Sequence, residues 1–219
     1  MWVWRQVNLK VCAQSGMSST WQHRHDVRDD VRVDEVEAGS ALVAAPALRD
    51  PNFCRTVVLV IDHRASGTLG VVLNRPSDVP VHEVLPLWGP HATVPQALYV
   101  GGPMEQRAAL CVAALPAGLD AEQTKGMIKV RGSLALVSLD ADPDLMAPRL
   151  RGLRVFAGYA GWDQGQLAAE IKRGDWVVVP ALPDDVLAPP GTDLWGRALR
   201  RQGMPLALLA TYPIDPALN

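Results

Sequence analysis

The stretch from Val155 to Ala181, VFAGYAGWDQGQLAAEIKRGDWVVVPA, holds the clearest structural pattern in the chain. An apolar strand enters a glycine–aromatic turn, and a short helix then leads to a second apolar strand. Asp163 followed three residues later by Gln166 is typical of the capping box at the start of a helix. Gly174 suits the left-handed position at which helices often end. The pattern therefore predicts a helix over residues 164–173 with Asp163 as its N-cap.

A glycine-rich turn before a helix can also bind a phosphate group through free backbone N–H groups. Here we expect the Asp163 carboxylate to accept from those groups and to repel a second anion. No lysine follows as in a Walker A loop, and no G-x-G-x-x-G pattern occurs. The sequence therefore favours a structural turn, with Gly158 and Gly161 letting the chain fold between Tyr159 and Trp162, over an anion site.

Upstream of this stretch, residues 55–76 read RTVVLVIDHRASGTLGVVLNRP and predict a β-hairpin. Residues 57–61 form an unbroken apolar run, which is typical of a strand buried on both faces. Residues 63–68 supply the connection. Pro76 is expected to end the returning strand because proline has no N–H to donate to the ladder.

The remaining elements are scattered along the chain in no regular alternation. We expect further strands at 97–100, 108–115 and 134–139, and short helices within 81–88, after Asp142–Pro143 and from Thr192. Residues 206–213 could form either a strand or a helix, since a short apolar run does not decide between them. Strands that come in groups with occasional short helices favour an α+β fold.

Composition is that of an ordinary globular protein. The chain has 219 residues, is 48% hydrophobic and 20% charged, and carries a net charge of −2. Residues 38–219 are expected to form one α+β domain. Residues 1–37 mix charges densely without a sustained period, which predicts a flexible N-terminal arm. Translation could begin at Met1 or at Met17.

Cysteine use and hydropathy point to a cytoplasmic protein. The three cysteines are odd in number and include no C-x-x-C pair, which argues against a disulfide framework or a cysteine zinc site. No apolar run approaches the roughly 20 residues of a membrane-spanning helix. Neither an H-E-x-x-H motif nor an EF-hand loop occurs, so we expect no metal and no cofactor.

Several residues could bind a ligand, and each has a structural alternative. Gly101 and Gly102 could form an anion-binding nest or simply a tight turn. Arg55 could hold an anion with its planar fork, or pair with Asp50 and fix the entry to the first strand of the hairpin. Asn74 could contact a substrate or brace the turn that follows the hairpin.

Catalysis and nucleic-acid binding have weaker support. Cys54 lies beside Arg55 and could act as a nucleophile with His63, whereas Cys111 falls in an apolar strand pattern typical of inert core. No G-x-S-x-G motif is present. The basic clusters 149–154 and 197–202 are most simply solvated surface, and no DNA-binding motif accompanies them.

Four segments in order carry a resemblance to a known family. They are LVAAPALRDPNFCRTVVLVIDH (42–63), GTLGVVLNRP (67–76), VGGP (100–103) and AGYAGWDQGQLAAEI (157–171). On these the region from about Gly39 to Asn219 resembles the bacterial YqgE/AlgH family, and its C-terminal part resembles actinobacterial members. The resemblance implies a single complex α+β domain with a small β-barrel or a bifurcated sheet surrounded by helices. It also carries a transcriptional-regulator label but no particular biochemical activity, and it does not call for a cysteine at position 54.

Together these observations predict a cytoplasmic, non-enzymatic protein that binds a partner protein or a small-molecule ligand and affects transcription only indirectly. No catalytic residue is assigned. The expected binding residues are Arg55, Asn74, Gly101, Gly102, Tyr159 and Trp162. Arg55 would hold an anionic group, the glycine N–H groups would cradle it, and the two aromatic rings would cover an apolar part. The alternatives are a hydrolase-like enzyme using Cys54 and His63, and a direct DNA-binding regulator using the 197–202 helix.

Overall fold

The computed structural model describes residues 5–6 and 36–213. Its strands are β1 (Arg5–Gln6), β2 (Ser40–Ala44), β3 (Val57–Arg64), β4 (Gly67–Val72), β5 (Pro76–Pro80), β6 (Ala97–Val100), β7 (Met104–Ala114), β8 (Met127–Arg131), β9 (Leu134–Val137), β10 (Gly152–Asp163) and β11 (Trp176–Pro180). Its α-helices are α1 (Val81–Val84), α2 (Pro143–Met146), α3 (Gln166–Arg173), α4 (Pro183–Val186) and α5 (Leu194–Arg200). Short 3₁₀ segments occupy Gly89–His91, Ala121–Gln123, Ala147–Arg149 and Leu206–Thr211. Among these described residues, no helix is both long and apolar enough to span a membrane.

The strands form one curled, mainly antiparallel sheet in the order β11-β2-β3-β4-β10-β7-β9-β8. The long strand β10 is its spine. One edge of β10 pairs with β7, and the other edge pairs first with β6 and then with β4. β5 is antiparallel to β6 and forms the outer edge of that branch. The sheet therefore divides along β10. The predicted α+β fold is confirmed, and its curled sheet forms a half-barrel.

β3 shows why the apolar run in the hairpin is unbroken. Val57, Leu59 and Ile61 face the largest apolar cluster, whereas Val58 and Val60 face another cluster on the opposite side of the sheet. Successive side chains of a strand point to opposite faces, so burial of both faces demands an apolar residue at every position. Burying each such side chain stabilises the fold by roughly 1.5–3 kcal/mol.

The prediction that Pro76 ends a strand is wrong, because Pro76 begins β5. Among the described strands β5 pairs only with β6, with Pro76 opposite Tyr99 and Pro80 opposite Ala97. A proline is tolerated on such an edge strand because one side of the strand is unpaired, so the missing N–H breaks no hydrogen bond of the ladder. The sequence reading also missed β2 and β8, and residues 206–211 prove to be a 3₁₀ segment.

The Asp163 N-cap is also wrong. Residues 160–163 continue β10 and pair with β4, so the expected glycine–aromatic turn is instead strand. The helix α3 begins at Gln166 after Gly165, whose φ of 75° is left-handed, and no side chain caps it. Half of the capping box survives, since the Asp163 N–H donates to Gln166 Oε1 at 3.0 Å. Ladder bonds with β4 hold Asp163 extended, two residues before the actual cap.

Two other helix starts follow the sequence more closely. Asp142 caps α2 as predicted, and its carboxylate accepts from the Asp144 N–H. α5 begins one residue later than expected, with Asp193 rather than Thr192 as its N-cap. Within the expected N-terminal arm, β1 pairs in parallel with Ala108–Ala109 of β7. The rest of that arm up to residue 35, including the Met17 start, lies outside the described residues.

Candidate functional site

The two branches of the sheet separate at Gly101, which follows β6 and is hydrogen-bonded to both β10 and β4. Its N–H donates to Ala157 O at 2.8 Å, and its carbonyl accepts from the Val72 N–H at 2.8 Å. Gly101 therefore lies between β10 and β4 at the point where β6 leaves β10. We call this point the fork, made by Arg55, Asn74, Gly101, Gly102 and Tyr159.

The glycines at the fork are required by the close approach of two backbones. A Cβ added to Gly101 would lie 2.3 Å from Gly158 O, and one added to Gly102 would lie 2.2 Å from the carbonyl carbon of Tyr159. Gly158, with a φ of 70°, sits where the β7–β10 register shifts between Ala157 and Tyr159. Because Gly101 already donates its N–H to Ala157, it has no donor for the anion-binding nest considered from the sequence.

Asn74 braces the fork from the hairpin side. Its Oδ1 accepts from the Val57 N–H at 3.0 Å, and its Nδ2 donates to Arg55 O at 2.8 Å. The side chain thus stands in for a ladder partner just beyond the end of β4. Both ends of the amide therefore hold the start of β3, and not the turn at residues 75–76 that the sequence predicted the side chain would brace.

Arg55 does not pair with Asp50. Its Nη2 donates to the carbonyl oxygens of Tyr212 and Pro213, the latter at 2.7 Å. The guanidinium carbon also lies 4.3 Å from the ring centroid of Trp195, a cation–π contact. Arg55 has a left-handed φ of 54°, which is costly for a residue with a Cβ. The side chain therefore holds main chain that lies more than 150 positions away in sequence.

The segment that Arg55 holds is the C-terminal segment, residues 203–213. Leu209 and Ala210 pack against the largest apolar cluster, beside α5. Other apolar side chains of the same segment face outward: Met204 is 70% exposed, Leu208 53% and Tyr212 56%. An apolar surface therefore lies next to the Arg55 guanidinium.

The structure brings Tyr159 to the fork but leaves Trp162 away from it. Tyr159 packs against the same cluster that contains Trp195, whereas Trp162 belongs to the cluster on the opposite face. The two residues are three positions apart on one strand, and an odd separation places side chains on opposite faces. The expectation that both rings wall one pocket is wrong.

Trp162 instead belongs to a buried aromatic group around one carboxylate. Trp162 Nε1 and Trp176 Nε1 both donate to Glu170 Oε2 at 2.8 Å, and Gln166 Nε2 donates to Oε1 at 2.9 Å. The Trp162 ring also stacks on Phe53, with centroids 6.0 Å apart. These contacts fasten α3 to β10 and β11, so the role of Trp162 is structural.

The geometry separates the proposed nucleophile from its base. Cys54 precedes β3 and His63 lies near the far end of that strand. The six residue steps from Val57 to His63 span roughly 20 Å at ~3.3 Å per residue. The His63 Nδ1 instead lies 2.7 Å from Thr68 Oγ1. Full burial raises the pKa of Cys111 to about 12, which keeps its thiol protonated and inert.

Intramolecular partners engage the arginines of the 197–202 cluster. Arg201 Nη1 bonds the buried Asp185 at 2.7 Å, and Arg197 lies 3.8 Å from the same carboxylate. Arg200 pairs with Asp193 at 2.8 Å. Burial raises the pKa of Asp193, but hydrogen bonds from the Gly196 N–H and from Arg200, with the positive charges of Arg200 and Arg55, outweigh it and lower the pKa overall.

The second basic cluster, 149–154, is divided between surface and interior. Arg151 pairs with Asp184 at the surface, while Arg154 is buried. Within the described part of the chain, no group of three or more histidine, cysteine, aspartate or glutamate side chains could hold a metal ion. The fork with its C-terminal segment thus remains the place where predicted binding residues converge. The grip on residues 212–213 could not be found from sequence, because no local pattern links them to Arg55.

Comparison with known proteins agrees with this architecture. The AlgH-like family model, DUF179, matches residues 41–207. UPF0301 proteins of Mycobacterium ulcerans and Rhodococcus opacus are 53% and 52% identical over 184 residues, which is 84% of this chain and 92% of each relative.

Two solved structures share the fold. The crystal structure of protein DIP2367 from Corynebacterium diphtheriae superposes with a TM-score of 0.79 at 46% identity, over 82% of this chain and 94% of that one. The solution structure of the AlgH protein from Pseudomonas aeruginosa superposes with a TM-score of 0.57 at 28% identity, over 88% of this chain and 100% of that one.

Proposed function

The chain belongs to the AlgH-like family, and from that premise we propose that it is a non-enzymatic binding protein whose partner is another protein. The partner would dock at the fork and the C-terminal segment, and any effect on transcription would be indirect. The observation that carries the proposal is the grip of Arg55 on the carbonyl oxygens of Tyr212 and Pro213. A guanidinium that bonds main-chain carbonyls while stacked on Trp195 is suited to holding peptide.

Exposed apolar side chains support the same surface. Leu208 and Tyr212 are more than half exposed and lie on the segment that Arg55 holds. Tyrosine and arginine are enriched in the energetic centres of protein interfaces, and Leu208 adds apolar area on the same segment. Apolar burial against a partner would then supply affinity, and the Arg55 bonds would fix the position of the segment.

The alternatives find less support in the geometry. The separation of Cys54 from His63 leaves the thiol without the adjacent base that a hydrolase needs. Ion pairs with Asp185 and Asp193 already partly neutralise the arginines that a DNA-binding helix would present to phosphate groups. The proposed location is the cytoplasm, in keeping with the free thiols of Cys54 and Cys111.

Site-specific photo-crosslinking in the native bacterium tests the proposal. A photoreactive phenylalanine analogue replaces Leu208 in one strain and Leu145 in another. Leu145 is the matched control because it is 69% exposed but lies on α2, whose Met146 packs in a different apolar cluster from the C-terminal segment. We expect a discrete protein adduct from position 208 that is absent from position 145 and that weakens when Arg55→Ala is added. Equal adducts from both positions, or none from either, would contradict a docking role for the segment.

A further inference from the structure

Arg154 is a cation buried in the apolar interior. It lies on β10 directly opposite Val112 of β7, and residues directly opposite in an antiparallel pair point to the same face. Val112 and Phe156 on that face belong to the largest apolar cluster. Arg154 is only 2% exposed, so almost the whole side chain is withdrawn from water.

Its contacts compensate only part of its charge. Nη2 donates to the carbonyl oxygens of Ala188 and, at 3.3 Å, Val94, and the guanidinium lies 4.3 Å from the ring centroid of Tyr99. Nε has no hydrogen-bond partner, and in the described part of the chain it is the one buried side-chain nitrogen or oxygen of which this is true. No carboxylate of residues 36–213 lies within ion-pair distance of the guanidinium.

Such an arrangement is costly unless something else completes it. Burial lowers the pKa of Arg154 to about 10, so the side chain remains a cation at neutral pH. Carbonyl dipoles and an aromatic face offer partial negative charge, whereas a buried ion normally needs a full counter-charge. An orphaned guanidinium N–H in the interior is also a donor without an acceptor. Both deficits would be met by one bound anion.

The guanidinium lies beneath the meeting point of two surface loops. One acceptor, Val94 O, belongs to the loop of residues 93–96, and the other, Ala188 O, belongs to the loop of residues 187–191. Val94 and Pro189 are themselves exposed, so each loop reaches solvent within one residue of its bond to Arg154.

We propose that Arg154 is the anchor of a binding site for a small oxyanion, a carboxylate or a phosphate group, reached between these two loops. A guanidinium N–H forms a strong charge-assisted hydrogen bond to either group where water is excluded. Here the donor is the orphaned Nε–H, because Nη2 already donates to the two carbonyl oxygens. The two carbonyl bonds hold the side chain in place before the anion arrives. This site is distinct from the docking surface at the fork and does not depend on it.

Thermal unfolding of the full chain in anion titrations tests this site. Sodium phosphate or sodium acetate replaces sodium chloride at constant ionic strength, so that general screening stays the same. We expect one of the two to raise Tm along a saturating curve, because an anion at 100 times its Kd shifts the folding equilibrium about 100-fold. A rise with phosphate alone identifies a phosphate group, and a rise with acetate alone identifies a carboxylate.

Two variants make the result specific to Arg154. Arg154→Met should lose the saturating rise, and Arg149→Met, the same substitution at an exposed arginine nearby, should keep it. If Arg154→Met does not fold, Arg154→Lys replaces it. Lysine keeps the charge but has no N–H at the position of Nε, so the anion should bind at least tenfold more weakly. No saturating rise in the wild-type chain, or an undiminished rise in the Arg154 variant, overturns the proposal.

Discussion

Gly101→Ala should destabilise the protein strongly, although it adds only one methyl group. The new Cβ would lie 2.3 Å from Gly158 O and 3.1 Å from the Phe156 Cβ. Both distances are shorter than an ordinary van der Waals contact, which begins at about 3.4 Å. Because the first clash is with backbone, no side chain can rotate away to relieve it. One of the two branches of the sheet must therefore move by about 1 Å.

The magnitude follows from what that movement disturbs. Overpacking of a well-filled interior costs roughly 1–3 kcal/mol. The bonds from Gly101 N–H to Ala157 O and from Val72 N–H to Gly101 O, both 2.8 Å, stretch together, at roughly 0.5–1.5 kcal/mol each. We therefore expect the free energy of unfolding to fall by about 2–6 kcal/mol, which is a large part of the ~5–15 kcal/mol that is typical of a domain.

Urea unfolding followed by tryptophan fluorescence measures this change, with a lower midpoint and an unchanged slope as the expected result. Gly118→Ala is the control, because a Cβ there meets nothing within 4 Å and only the left-handed φ of 87° opposes it. That strain costs ~1–2 kcal/mol. A Gly101→Ala protein within about 0.5 kcal/mol of wild type, or one more stable than Gly118→Ala, would refute the reasoning that the fork requires a glycine.

Three further predictions concern single side chains. Asn74→Ala should lower the free energy of unfolding by about 2–4 kcal/mol, since it leaves the buried Val57 N–H and the Arg55 carbonyl without partners. Asn74→Asp should restore only the bond that accepts from the Val57 N–H, and chemical unfolding of both variants checks this. Glu170→Gln should lower Tm, because the single amide oxygen of glutamine cannot accept from Trp162, Trp176 and Gln166 at once. We expect a loss of about 1–3 kcal/mol in the free energy of unfolding, and an unchanged melting curve would contradict it. The pKa of Asp193 is lowered in the folded protein, so its contribution to stability is present above its unfolded pKa and disappears as the pH falls through its folded pKa. Urea unfolding from pH 7 down to pH 3 should therefore show that the stability difference between wild type and Asp193→Asn shrinks in the acid range. A difference that stays constant would show that the Asp193 charge plays no part.

The sequence predicted features that depend on local pattern. The unbroken apolar run of β3 indicated burial of both faces, and the structure confirms it. Asp142 before Pro143 indicated a capped helix start, which the structure also shows. Each of these inferences needs only residues that are close in sequence or the alternation of faces along one strand.

Other features depended on pairing between distant segments. Asp163 is a good N-cap by its type, but ladder bonds to β4 keep it in a strand. Gly101 and Gly102 fit both a turn and a nest, and only the approach of β10 shows that they are there because a Cβ would collide with its backbone. The β-bulge beside Gly158 also places Phe156 and Tyr159, three positions apart, against the same cluster, which simple alternation along a strand would not do.

The sequence by itself thus determined the α+β class and the central hairpin, because hydrophobic alternation and turn chemistry act over a few residues. The family resemblance came separately, from four motif segments in order. Only the tertiary structure decided what Arg55 and Arg154 do. Their partners, the carbonyl oxygens of residues 212–213 and of Val94 and Ala188, are main-chain atoms that every residue type carries. No side-chain pattern predicts which main-chain carbonyl will be the acceptor, so its position is known only from the folded structure.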